Sequence, residues 1–217
     1  ETCIKTYNPR QKQISIKGKD TVKISKEKFN EKERTTYIAT LFRNPQKKLP
    51  FVIIASGKTE ACETKYKIDG SNDYCLHSLS GWTTETIMIK YLQWLSQQMN
   101  GEKFALVLDV FRAHKKQSVL AEANRLNIKL IFVPSCGTGI YQPLDRKIFG
   151  IVKSKLRKES SNLRTEENRF QNIHALMNQI WDEISDAAID SAWNIPNLDK
   201  FLIPDDDDSD DGEFWPD

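Results

Sequence analysis

The 217 residues carry 32 bases and 30 acids, 39% apolar side chains, ten Phe and five Trp, which fits one globular domain and excludes a disordered chain. No apolar run nears the roughly 18–20 residues that cross a bilayer, and nothing at the start reads as a secretory leader. The near-neutral total hides an asymmetry: residues 205–217 hold eight of the acids and no base, leaving 22 acids against 32 bases, a net +10, in the remainder.

Such a basic body suits a polyanionic partner, because neutralising phosphates releases counterions. It also suits a Lys-rich surface kept soluble by charge. Four scattered cysteines (Cys3, Cys62, Cys75, Cys136) fit reduced intracellular thiols better than a disulfide framework. A start on Glu1 without Met is expected of a fragment or a processed product.

In chain order, residues 10–35 are rich in Lys, Ser and Thr and alternate at Ile14-Ser-Ile16 and Val22-Lys-Ile24, predicting short exposed strands or a hairpin through Lys17-Gly-Lys-Asp20. Thr35–Phe42 and Phe51–Ala55 are β-branched runs joined by a polar turn from Arg43 to Lys48. They predict neighbouring antiparallel strands, the first half-buried and the second more fully so. Residues 56–81 read as irregular. A helix is expected from about Thr83, whose hydroxyl can cap it. It carries Ile87, Tyr91, Leu92, Leu95 and Met99 on one face and ends at Asn100-Gly101.

The apolar run Phe104–Leu108 ends on Asp109. A helix at about 116–126 follows, and then the run Ile128–Val133. A strand–helix–strand unit this short favours parallel pairing, so these two strands are expected at the sheet centre. After a loop from Pro134 to Tyr141, Pro143 opens a helix with Ile148, Phe149, Val152 and Leu156 on one stripe. Counting back by four from Phe149 puts Asp145 above that stripe at the helix N-terminus, where the dipole favours a negative charge. A last helix, 172–189, has a Met/Trp stripe that reads as core. Past Pro204 the like-charged tail is expected to be disordered. The domain expectation is therefore 1–204 with a 205–217 tail.

Asp109, at the carboxyl end of a buried strand, stands where open α/β sheets place ligands, although an N-cap or turn role suits it too. Asp145 has its own bland role as a first-turn acid. Two such carboxylates brought together offer hard oxygen ligands to Mg²⁺ for phosphoryl transfer. Cys62, Cys75 and His77 are too widely spaced to suggest zinc. A small-molecule-binding domain is disfavoured, because no Gly-rich phosphate loop follows Phe104–Asp109.

Leu106-Val-Leu-Asp109-Val-Phe-Arg-Ala-His114, then Ile128–Pro134, then Gln142-Pro-Leu-Asp145 resemble the DDE endonuclease domain of pogo/Tigger-type transposases, a family related to jerky-like proteins. Lys17-Gly-Lys, Arg34-Thr-Thr, Leu49-Pro-Phe-Val-Ile-Ile and Gly81-Trp-Thr-Thr-Glu85 extend the likeness over most of residues 1–200. Val110 stands where the family often has Asn.

The resemblance implies an α/β fold, a ribonuclease-H-like mixed sheet with antiparallel strands first and parallel central strands after, flanked by helices. It implies Mg²⁺- or Mn²⁺-dependent cleavage and strand transfer of DNA, with Asp109 as second and Asp145 as third catalytic acid and metal ligand. The first acid would directly precede Glu1. His114 would touch substrate or orient an acid, and Lys147, Lys153, Lys155 and Arg157 would hold phosphates. DNA as partner, a nuclear location, no membrane and room for a homo-oligomer complete that expectation. The alternative is a domesticated, catalytically inactive transposase-derived DNA-binding protein.

The −8 tail beside a +10 body predicts competition with DNA for the basic face. Deleting residues 205–217 should tighten DNA binding at low salt, measured by fluorescence anisotropy, and an unchanged affinity would refute it.

Overall fold

The computed structural model describes residues 1–5, 34–43, 47–67, 72–134, 137–160, 163 and 168–195. The expected Lys17–Asp20 hairpin, the strands around it, Cys136 and the acidic tail lie outside the described residues.

Eight strands are described: β1 (Thr2–Lys5), β2 (Arg34–Ile38), β3 (Leu41–Phe42), β4 (Lys47–Lys48), β5 (Val52–Ser56), β6 (Tyr74–Ser78), β7 (Phe104–Asp109) and β8 (Ile128–Val133). The helices are α1 (Glu85–Gln98), α2 (Gln117–Arg125), α3 (Thr138–Tyr141), α4 (Phe149–Glu159), α5 (Arg169–Asp182) and α6 (Asp186–Trp193). A mixed four-stranded sheet runs β1-β2-β5-β6, antiparallel except for the last pair. The β3–β4 hairpin prolongs β2 and β5.

The pair β7–β8 is parallel, as the short connection requires, but forms a separate two-stranded sheet. The expectation that it sits at the centre of the main sheet is therefore corrected. Hydrogen bonding joins β7 to β8 alone among the described strands, and several β7 side chains stay half-exposed.

The sheet separates two apolar cores. Phe51, Ile53 and Ala55 of the β5 segment pack with Ile148, Phe149, Val152, Met177, Ile180 and Trp181 of the carboxyl-terminal helices. Val52 and Ile54 point the other way, onto Tyr91, Leu92 and Leu95 of α1 and Val119 and Ala123 of α2. Period-two alternation along one strand thus feeds both cores, which is why its apolar run is unbroken. β2 is more deeply buried than its pattern suggested, with Thr35 to Ile38 all inside.

Other differences have local causes. Thr84, not Thr83, caps α1, its hydroxyl accepting from the Ile87 N–H at 3.3 Å. Residues 60–66 form a 3₁₀ helix, and β6 pairs with β5, so 56–81 is more ordered than its glycines implied. The single helix expected over 172–189 is two, broken at Glu183–Ser185, where the Ser185 hydroxyl accepts from Ala188 N–H and starts α6. Asn100 and Gly101, at φ 51° and 74°, end α1 as expected.

A lysine staples the two ends of the described chain. Lys48 Nζ donates to the carbonyls of Trp181, Asp182 and Ile184 at 2.6, 3.0 and 2.9 Å, placing a cation on the carbonyls at and just past the end of α5. Trp181 Nε1 returns a bond to the Leu49 carbonyl at 3.0 Å. Replacing Lys48 by Met should lower stability by roughly 1.5–3 kcal/mol, the range for hydrogen bonds to a charged group, in urea denaturation. The neighbouring exposed Lys47→Met serves as the control that loses almost nothing.

Candidate active site

β7 pairs residue for residue with β8 until Asp109 stands opposite Val133, so the acid emerges at the carboxyl end of the strand. The chain then turns on itself. The Phe111 N–H donates to Asp109 Oδ1 at 3.2 Å, and the His114 N–H to the Phe111 carbonyl at 2.9 Å. This folds the imidazole of His114 back beneath the acid and buries it.

Its Nδ1 lies 2.9 Å from Asp109 Oδ1 and 3.1 Å from the Asp109 carbonyl, while Nε2 lies 3.1 Å from Glu1 Oε1. Both ring nitrogens meet acceptors, so the ring donates from both and is an imidazolium. Burial by itself would push its pKa down; the bonds and charges of Asp109 and Glu1 outweigh that and raise it to about 9. In return Asp109 is held below the usual carboxylate range, chiefly by the His114 bond. Burial works to raise Glu1, yet the hydrogen bond of the same histidine, with a smaller contribution from Thr83, brings it below its ordinary value.

Asp145 arrives from a different element. Pro143 enters helical geometry at φ −53°, ψ −39°, and the next turn, Leu144–Ile148, is π-helical, with Phe149 N–H donating to the Leu144 carbonyl. A π turn holds one residue more than an α turn. Ile148 and Phe149 can therefore both reach the core, and Asp145 is exposed instead of lying in register over the buried stripe. That corrects the count made on α-helical spacing.

Partial desolvation and the negative charge of Asp109 raise the pKa of Asp145, against Lys153, which lowers it. Asp109 and Asp145 are thus within electrostatic reach of each other.

The basic residues expected beside the acids divide. Lys153 is within electrostatic reach of Asp145 and lies 5.8 Å from the Phe149 ring centre. Lys147 is engaged by the Ser191 hydroxyl of α6, and Lys155 pairs with Glu183 at 2.7 Å. Arg157 sits exposed on a later turn. His77 bonds Glu63 at 2.7 Å, away from any metal-like grouping with Cys62 and Cys75. Among the described residues no three His, Cys, Asp or Glu converge on a point that could take a metal ion.

Two participants were not anticipated. Glu1 was read as a bystander beside a missing acid, yet its carboxylate holds His114. Gln142 is buried with its Oε1 lacking a hydrogen-bond partner among the described residues; its place before Pro143-Leu-Asp145 was the only signal.

The raised pKa of His114 has a pH consequence. Its stabilisation is complete below pH 6.5, the ordinary imidazole value, and is lost as the pH climbs through about 9. In chelator-treated buffer, His114→Gln should therefore be less stable than the parent by on the order of 2–3 kcal/mol below pH 6.5, a gap that closes above pH 9 in urea denaturation. A pH-independent difference would refute the imidazolium.

Comparison with known proteins meets this geometry. The profile of the family described as DDE superfamily endonuclease matches residues 32–194. CENP-B homolog protein 2 of Schizosaccharomyces pombe (strain 972 / ATCC 24843) is 34% identical over 90 residues, which is 40% of this chain and 18% of that protein. The chain thus matches less than a fifth of that relative's length. No solved structure matches it. With three quarters of its length covered by one family profile, and with that span holding Asp109, His114 and Asp145, the chain belongs to the DDE superfamily endonucleases.

Proposed function

We propose that this protein is the catalytic domain of a transposase-type DNA endonuclease with a ribonuclease-H-like fold, acting in the nucleus. The observation that carries the reading is that Asp109, at a strand end, lies within electrostatic reach of Asp145, on a π turn, whose pKa is raised chiefly by partial burial and also by the charge of Asp109. Like charges brought together at a half-exposed site are costly without a cation, and paired carboxylate oxygens fit Mg²⁺ or Mn²⁺.

When bound, the ion polarises the scissile phosphodiester and the attacking water. Asp109 and Asp145 supply its oxygen ligands. His114 holds Asp109 in one orientation through Nδ1 and is itself fixed by Glu1 through Nε2. Lys153, within electrostatic reach of Asp145, would meet a phosphate, with Arg157 one turn further on the same side of α4, whereas Lys147 and Lys155 are engaged by Ser191 and Glu183.

On the family resemblance, the first acid of the triad would directly precede Glu1, in the strand that β1 continues.

The test is nicking of supercoiled plasmid in Mg²⁺ or Mn²⁺, using protein extended upstream of Glu1. Nicking that Asp109→Asn and Asp145→Asn abolish, and that His114→Ala lowers by roughly 10–100-fold as the loss of an acid's partner, establishes the reading. Folded protein that binds DNA without nicking it establishes instead the domesticated, non-catalytic descendant.

A further inference from the structure

α6 is fixed at its start and along one face. The Ser185 hydroxyl caps it, Lys48 bonds the Ile184 carbonyl just before it, and Ile189 and Ala192 lie in the same core as Ile148 and Phe149. Its far end poses an accounting question, because the last carbonyls of a helix have no partner within it. The Asp190 carbonyl accepts from the Asn194 N–H at 2.9 Å, and the Trp193 carbonyl from the Ile195 N–H at 2.8 Å. Among the described residues, those of Ser191, Ala192 and Asn194 have no such backbone donor.

Arg146 meets all three. Its Nη1 donates to the Asn194 carbonyl at 2.5 Å and reaches those of Ser191 and Ala192 at 3.4 Å each. Lys147, the next residue, donates to the Ser191 hydroxyl. Cations at this end also meet the negative pole of the helix dipole. Two consecutive side chains of the π turn therefore grip one helix end, and they directly follow Asp145.

The turn needs an outside hold. π turns are rare and occur mostly as single turns within α-helices. The bond from the Phe149 N–H to the Leu144 carbonyl thus competes with the ordinary α-helical bond to the Asp145 carbonyl. From Ile148 onwards the core fixes the chain. Upstream of it, closing the turn to α geometry rotates residues 144–147 by about 100°, one residue's share of a helical turn. That rotation takes Arg146 and Lys147 off α6 and swings Asp145 over the buried stripe. The π register satisfies the core and the end of α6 together.

We infer that Arg146 is a positioning residue: by clasping the end of α6, with Lys147 beside it, it selects the π register of Leu144–Ile148 and so sets Asp145 within reach of Asp109. The consequence for metal binding rests on the endonuclease reading, whereas the register does not.

The experiment reads the register directly, by nuclear magnetic resonance, as the scalar coupling across the hydrogen bond of the Phe149 N–H in the isotope-labelled chain. In the parent this coupling connects Phe149 to the Leu144 carbonyl carbon. In Arg146→Met it should move to the Asp145 carbonyl carbon, while unchanged amide exchange in α5 shows that the variant folds. Arg146→Lys should keep the parental coupling, since Lys48 already bonds three helix-end carbonyls with one ammonium. Asn178→Ala, which removes a bond to Asp73 from α5 and weakens the fold elsewhere, should keep it too. Mn²⁺ is then titrated in, followed by paramagnetic broadening of the Asp109 and Asp145 signals. Arg146→Met should need about tenfold more Mn²⁺ than the parent, as when a metal ligand loses its support, and Asn178→Ala no more.

A parental coupling retained in Arg146→Met overturns the proposal. Its loss in Asn178→Ala also does, because general loosening would then be the cause. Absence of broadening at either acid in the parent overturns the endonuclease reading alone, while the coupling still decides the role of Arg146.

Discussion

The architecture depends on β5 being buried on both faces. Phe51, Ile53 and Ala55 belong to one core and Val52 and Ile54 to the other, each at most 1% exposed. A strand of five residues cannot stay dry unless helices cover both sides, and the chain meets that demand by sending α1 and α2 to one face and α4, α5 and α6 to the other. Lys48 and the Trp181 indole then bind the edge of this strand's hairpin to the α5–α6 junction, coupling parts of the chain more than 130 residues apart. With both layers in place, the end of β7 and the start of α4 are held near each other as a consequence of packing.

That placement sets acids from separate elements within electrostatic reach of one another. Asp109 comes from the layer with α2, Asp145 from the layer with α4, and Glu1 from the edge strand between them. His114 ties two of these together, its imidazolium neutralising charge that would otherwise repel. Asp145 has no such histidine among the described residues, and its pKa is raised, chiefly by partial burial and less by the charge of Asp109. The π turn at Leu144–Ile148 belongs to the same logic, since it lifts Asp145 away from the core stripe while Ile148 and Phe149 stay buried.

Much was legible in the sequence wherever the signal is local. The strands at 104–109 and 128–133, the helix between them, the Asn100-Gly101 stop and the apolar stripes of α1, α4 and α5 follow from periodicity and turn chemistry, which depend on neighbours a few residues away. Asp109 and Asp145 stood out because each ends or begins an element, and His114 because it follows Asp109 closely in the quoted run. The break between α5 and α6 was missed because Ser185 sits inside an apolar pattern that runs on unbroken across it. β6 was missed because Tyr74–Ser78 is short, polar in part and follows a glycine-rich stretch.

What the sequence by itself determined is therefore the inventory: an α/β order of elements, two acids at element ends, a basic body and a family resemblance carried by spaced motifs. Only the tertiary structure decided that β7 and β8 stand apart from the main sheet, that Glu1 and Asp109 share one histidine, and that Lys147 and Lys155 are turned towards α6 and its junction while Lys153 is within electrostatic reach of Asp145. The reason is one of range. Periodicity and capping are fixed by contacts within a turn or a strand, whereas His114 meets Glu1 across 113 residues of chain, and a pairing of that separation leaves no mark on the local pattern of either partner.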